Sequence, residues 1–109
     1  MQMPGGDAAI VDRRKLTEYC LNLEHPRGKH KARVFASLGF TAENADELRA
    51  ALLKAAASSD AEAAASDQFG DRYVLEFELA GPLGSGSVRS TWIVRRGERV
   101  PRLTSCFVK

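Results

Sequence analysis

The stretch Arg72-Tyr73-Val74-Leu75-Glu76-Phe77-Glu78-Leu79-Ala80-Gly81-Pro82-Leu83-Gly84-Ser85-Gly86-Ser87-Val88-Arg89-Ser90-Thr91-Trp92-Ile93-Val94 decides the fold of this chain. From Arg72 the apolar period is two. Tyr73, Leu75, Phe77 and Leu79 alternate with Val74, Glu76 and Glu78, the pattern of a half-buried strand. Gly81 to Gly86 reads as a hairpin loop. Beyond it Val88, Ser90, Trp92 and Val94 share one face of a second strand, and Arg89, Thr91, Ile93 and Arg95 share the other.

Downstream, Arg96-Gly97-Glu98 turns the chain and Pro101 opens a third strand, where a missing N–H is tolerated. There Leu103, Ser105 and Phe107 alternate with Arg102, Thr104 and Cys106. The helix-covered face is expected to be the Leu103 and Phe107 one. That puts Ser105 inward and leaves Arg102 and Thr104, with Arg89 or Arg95, on the open face.

Upstream, Ser58 to Gly70 is expected to be a loop or a weak helical turn, because Ser58, Ser59 and Asp60 interrupt the alanine run. Asn44 caps a helix whose stripe is Leu48, Ala51, Leu52 and Ala55, with Glu47 reaching back as a capping box. A shorter helix fits Lys29 to Leu38, with Ala32, Phe35 and Ala36 inward and Gly39 as its stop. Asp12 caps a first helix running to about Leu21, with Leu16, Tyr19, Cys20 and Leu23 on one side. Pro26 ends helical geometry at His25, and Gly28 permits a sharp turn. The expected organisation is a flexible N-terminus over 1–12 and a single α+β domain over 13–109. Two or three N-terminal helices pack there on one face of a small antiparallel β-meander sheet.

At 109 residues the chain has the length of one core, and 28% charged residues against 44% hydrophobic fits a globular domain. Met1 to Asp12 lacks the basic-then-apolar pattern of a signal peptide, and no apolar run is long enough to span a bilayer. The expected location is the cytoplasm, with no membrane partner. A role as the terminal module of a longer exported protein stays open. The net charge of +2 rules out a polycation, so its distribution carries more information. Acidic residues gather at Glu43, Asp46 and Glu47 and from Asp60 to Glu78; basic ones gather from Arg27 to Arg33 and from Arg89 to Arg102. That segregation suits an oriented encounter with a polyanion, or else marks ordinary solvated faces. Cys20 and Cys106, far apart in sequence, read as inert core thiols. The alternative is Cys20 as a nucleophile served by His25.

The densest chemistry lies in His25-Pro26-Arg27-Gly28-Lys29-His30-Lys31-Ala32-Arg33, which holds both histidines of the chain and four Lys/Arg. Metal-free RNA cleavage needs a base for the 2′-hydroxyl, an acid for the leaving oxygen and cations for the charged phosphorus. Histidine, with an ordinary pKa of about 6.5, suits the first two roles, and lysine or arginine suits the third. The candidates for chemistry are therefore His25, Lys29, Lys31, Thr104 and Ser105. Arg27, His30, Arg33 and Arg102 are the candidates for holding nucleic acid. Each has a plain reading beside it: His25 bracing the turn before Pro26, His30 a surface residue, the cations a solvated helix face. Two histidines beside Glu24 make no metal set, and no cofactor is expected.

Leu16-x-x-Tyr19-x-Leu21-Asn22-x-x-His25-Pro26-x-Gly28-Lys29-x-Lys31-Ala32-x-x-Phe35 resembles the opening signature of a bacterial domain family of unknown function. The likeness continues through Thr41-x-x-Asn44-Ala45-x-x-Leu48, Trp92-Ile93-Val94-x-x-Gly97 and Pro101-Arg102-Leu103. More distantly, the layout is similar to the barnase, EndoU, colicin D and RelE class of small ribonucleases. Lys29-x-Lys31 resembles the basic pair of the colicin D type, and Ser105-x-Phe107 its strand serine and aromatic. The histidine that this pattern places after the second lysine is Ala32 here, so His25 or His30 has to supply that group. The resemblance implies a toxin-like, metal-independent RNA endonuclease, with tRNA among its candidate targets and a cognate inhibitor protein as partner. The alternative is a non-catalytic module that binds nucleic acid or protein. An immunity or antitoxin partner ranks below both, since the chain is slightly basic. Sequence does not fix the oligomeric state.

Overall fold

The two strands read from Arg72 onward form the centre of the sheet. The computed structural model describes Met1–Lys109. In it β2 (Gly70–Gly81) and β3 (Gly84–Arg95) pair antiparallel from Gly70 opposite Arg95 to Gly81 opposite Gly84. β1 (Ala61–Ser66) joins the outer side of β2 and β4 (Arg102–Val108) that of β3, so the sheet is a meander in the order β1-β2-β3-β4. Three helices precede it: α1 (Arg13–Lys15), which runs directly into a π-helical turn at Leu16–Cys20, then α2 (Lys29–Ser37) and α3 (Ala45–Ser58). The fold is α+β, as the hydrophobic periods predict.

The core forms where Leu75, Leu79, Val88, Trp92 and Leu103 of the sheet meet Leu16, Phe35, Leu48 and Leu52 of the helices. Burying each such side chain stabilises the fold by about 1.5–3 kcal/mol. Ser90, the one polar residue buried as a whole, is fully satisfied. It accepts from Trp92 Nε1 at 2.9 Å and donates to the Leu75 carbonyl at 3.1 Å.

The end of α2 fixes the hairpin. Gly39 (φ +95°) gives its N–H to Ala36 O, and Phe40 gives its N–H to Phe35 O, a Schellman closure. The Leu83 N–H then caps Leu38 O at 3.1 Å. Gly81 backs onto the same carbonyl so closely that a Cβ there would collide with it. The connection is therefore only Pro82-Leu83, shorter than the loop expected over Gly81 to Gly86.

Four other expectations change. Ser58 to Gly70 is not a loop, because Ala61–Ser66 pairs with β2 from Ala61 opposite Leu75. Its alanines give a weak strand signal, and only Ala61 is buried. The first helix tightens into a π turn closed by Leu21 N–H to Leu16 O at 2.7 Å. The wider turn advances the phase, so Leu21 is buried and Leu23 is exposed. Thr41 begins the third helix through a 3₁₀ turn (Ala42–Asn44), with Asn44 Oδ1 accepting from Thr41 N–H at 2.7 Å. Glu47 meets the Asn44 side-chain amide, not its backbone. The segment 1–12 packs on the domain: Met3 and Val11 are buried, and Gln2–Asp60 and Ile10–Arg102 form isolated β-bridges.

The last difference reshapes the site. Thr91 pairs with Ser105 but Trp92 pairs with Leu103, so Thr104 is an extra residue and β4 bulges there. The bulge reverses the alternation beyond it. Cys106, which strict alternation would put on the open face, is fully buried against the helices as its reading as a core thiol requires, and Phe107, expected inward, lies opposite Arg89 and is only half-buried.

Candidate functional site

Pro26 and Gly28 stop the chain from continuing α1, and α2 starts at Lys29 over the edge of β4. Around that start the side chains separate into three groups. The first is a brace. His25 Nδ1 accepts the backbone N–H of Arg27 and of Gly28, each at 3.0 Å, and its ring meets Tyr19 edge-on at 4.7 Å. Those two bonds use Nδ1 as an acceptor, which leaves the ring's N–H on Nε2. A proton on Nδ1 requires giving up both backbone bonds. His25 thus performs the turn-bracing role, and a general-base role for it conflicts with this geometry.

The second group is a row of cations. Arg27, His30 and Arg33 are exposed and Lys29 and Lys31 half-buried, and none of the Lys or Arg among them forms a salt bridge. In the other basic run Arg96 and Arg102 are paired while Arg89, Arg95 and Arg99 form no salt bridge, and pairs flank the run on either side. Arg72 pairs with Asp67, Arg96 with Asp71 at 3.1 Å, and Lys109 with Glu76 at 2.7 Å. Arg102 forks onto Glu98, at 3.0 Å through Nε and 3.4 Å through Nη2, and holds that carboxyl below its ordinary range. Strand pairing therefore mixes the acidic and basic runs that are separate in sequence. α2 and the turn before it carry four Lys/Arg side chains close in sequence with no salt bridge.

The third group lies along β4. Lys31 reaches it: the ammonium sits 5.0 Å from the Phe107 ring centroid, a contact worth about 0.5–1 kcal/mol at a partly exposed site. Thr104 and Thr91 hydroxyls meet at 2.6 Å, and Thr104 also donates to Thr91 O at 3.0 Å. Ser105 Oγ is buried and has no hydrogen-bond partner. Of the sequence candidates, Lys31 reaches β4 at Phe107, two residues beyond Ser105, while Thr104 bonds Thr91 across the bulge. Arg102 is bound to Glu98, and His25 is committed to the turn.

Both cysteines are buried in the core, as their sequence reading expects, but their proximity is not legible in the sequence. The neighbouring Cys106, with the Lys31 charge, outweighs the upward push of burial on the Cys20 thiol and brings its pKa down to about 7. The same proximity, with burial, pushes Cys106 well above the ordinary thiol value. The neighbour of the Cys20 thiol is Cys106, not His25.

The model of a family described as a domain of unknown function, DUF6883, matches residues 2–109. The chain belongs to that family. No curated protein matches it. Among solved structures, a chain of the contact-dependent growth inhibition toxin–immunity protein complex from Klebsiella pneumoniae 342 is similar, with a TM-score of 0.71 and 21% identity. The match covers 92% of this chain and 99% of that one. At that identity the likeness is one of fold. In this DUF6883 domain no helix is long and apolar enough to cross a membrane. No group of three or more His, Cys, Asp or Glu is placed to hold a metal ion.

Proposed function

We propose that this DUF6883 domain is a toxin-like, metal-independent endoribonuclease that acts on RNA in the cytoplasm and is held in check by a cognate protein. The observation that carries the reading is the seam between α2 and β4. A helix rich in unpaired cations sets Lys31 over Phe107 of β4, two residues beyond Ser105, whose buried hydroxyl has no hydrogen-bond partner, on a strand that bulges at Thr104. In that reading Lys31 and Lys29 stabilise the charge that develops on the phosphorus, and Thr104 and Ser105 donate to its oxygens. His30, exposed beside Lys31, takes the 2′-hydroxyl proton, solvent water protonates the leaving oxygen, and His25 holds the turn that carries Arg27 and Lys29. Arg27, Arg33 and Arg102 follow the RNA backbone. The partner is a protein whose acidic surface covers the cations of α2. The fold shared with a chain of a complex named for a toxin and its immunity protein supports both parts.

The commitment of His25 Nδ1 to the backbone and of Arg102 to Glu98 favours a second reading, a binding module without chemistry. Incubation with total tRNA in EDTA separates the two. The nuclease reading expects discrete fragments ending in 2′,3′-cyclic phosphate. Intact tRNA bound in a salt-dependent way, with log affinity falling linearly against log salt, supports the binding module instead.

A further inference from the structure

The sheet is left open along part of its β1 side. β2 runs from Gly70 to Gly81, but β1 pairs with it only as far as Ala61 opposite Leu75. Beyond Leu75 no strand lies on the outer side of β2, so Glu76 to Ala80 form a free edge. The register gives the direction of its backbone groups. Ala61 donates its N–H to Met1 O at 2.6 Å, away from β2, so its partner Leu75 turns toward β3. Alternation then aims the N–H and C=O of Glu76, Glu78 and Ala80 at the open side.

A groove follows that edge. Its far wall is α3, whose facing residues Ala51 and Ala55 are too small to fill the space. About 280 Å³ lies over Phe77 and Leu79, and a second hollow of about 480 Å³ continues from Ala80 to Phe40 and Pro82. Glu47 and Glu78 stand on its rims, with Lys54 the single cation there. Glu76 and Glu78 are exposed on the open face of the sheet, and Glu78 forms no salt bridge. An unpaired edge beside an apolar groove is the geometry by which a sheet accepts a strand from another chain. A second copy fits poorly. Symmetric pairing of two such edges gathers Glu76 and Glu78 of both copies on one face, where like charges oppose it.

We propose that this edge takes up an extended segment of a partner protein as a strand beside β2, with apolar and basic residues alternating along it. Its backbone pairs with Glu76, Glu78 and Ala80. Its apolar side chains enter the groove against Phe77 and Ala51, and its Lys or Arg side chains meet Glu76 and Glu78. The site lies at the opposite side of the sheet from β4, so an added strand leaves the cations of α2 free. The proposal does not depend on RNA cleavage.

The test is titration of the hexapeptide acetyl-(Lys-Val)3-amide into the isotopically labelled whole chain, followed by NMR and amide exchange. Shift changes are expected at residues 76–80 and 51–58, with exchange of the Glu78 and Ala80 amides slowed by about tenfold or more. The same peptide methylated on its backbone nitrogens keeps the charge and should bind about tenfold more weakly or worse. Glu78→Lys, at an exposed position, should weaken binding about fivefold without changing the melting temperature. Binding that leaves the Glu78 and Ala80 amides unprotected, or equal binding by the methylated peptide, would overturn the proposal. So would an absence of shifts at millimolar peptide. Signals of residues 76–80 that move with protein concentration alone would put a second copy in the edge and overturn it as well.

Discussion

Replacing Lys31 by alanine is expected to lower RNA cleavage by about 100-fold to 1,000-fold, the usual effect of removing one preorganised charge from a developing phosphorane. Lys31 is the α2 cation whose ammonium contacts β4, where it lies on Phe107 beside Ser105. Its structural contribution is small by comparison, since a partly exposed cation–π contact is worth about 0.5–1 kcal/mol. The variant should therefore unfold within a few degrees of the parent while losing most of its activity. Lys31→Arg keeps the charge and should retain more of the rate than alanine does. Gel assays on total tRNA, with melting curves on the same samples, check both halves. Cleavage by Lys31→Ala at the parental rate would remove Lys31 from the chemistry and the seam from the mechanism.

Trp92→Ala is expected to cost about 3–5 kcal/mol, the range for truncating a large aromatic in a packed core. A domain of this kind is held together by only about 5–15 kcal/mol. Trp92 is fully buried in a core drawn from the π turn, α2, α3 and all four strands, and its indole N–H starts the chain Trp92–Ser90–Leu75. The alanine variant loses the packing and leaves the Ser90 hydroxyl short of a donor. Trp92→Phe keeps most of the buried area and should cost less, about 1–3 kcal/mol for a shape change and a lost hydrogen bond. Urea titrations of the three proteins should rank them parent, phenylalanine, alanine. An alanine variant as stable as the parent would mean that the sheet and the helices do not share one core.

The pattern of residues reveals the middle of the sheet because Leu75, Leu79, Val88 and Trp92 repeat at the strand period with nothing to disturb it. It reveals α2 and α3 through their stripes and through Gly39, whose positive φ the chain requires for its closure. What it hides are changes of phase. The π turn at Leu16–Cys20 and the bulge at Thr104 each shift the count by a residue, and no residue type announces either. Those two shifts move Leu23 and Phe107 outward and Leu21 and Cys106 inward. β1 escapes notice because Ala61 to Ser66 is built of residues with little strand preference, held by pairing to β2. At the site, the concentration of cations before and within α2 is visible in sequence. The proximity of Cys20 and Cys106 is not, because it exists only once the two ends of the chain have packed.

The most direct measurement is an NMR titration of the isotopically labelled domain with a short RNA whose 2′-hydroxyls are replaced by hydrogen, so that it binds without being cut. The seam reading predicts shift changes concentrated at residues 25–33 and 102–107, with Lys31, Thr104, Ser105 and Phe107 the most affected. It also predicts that the changes weaken as salt is raised. Shifts centred instead on the far side of the molecule, around α3 and the β2 segment 77–80, or no shifts at low salt, would contradict it.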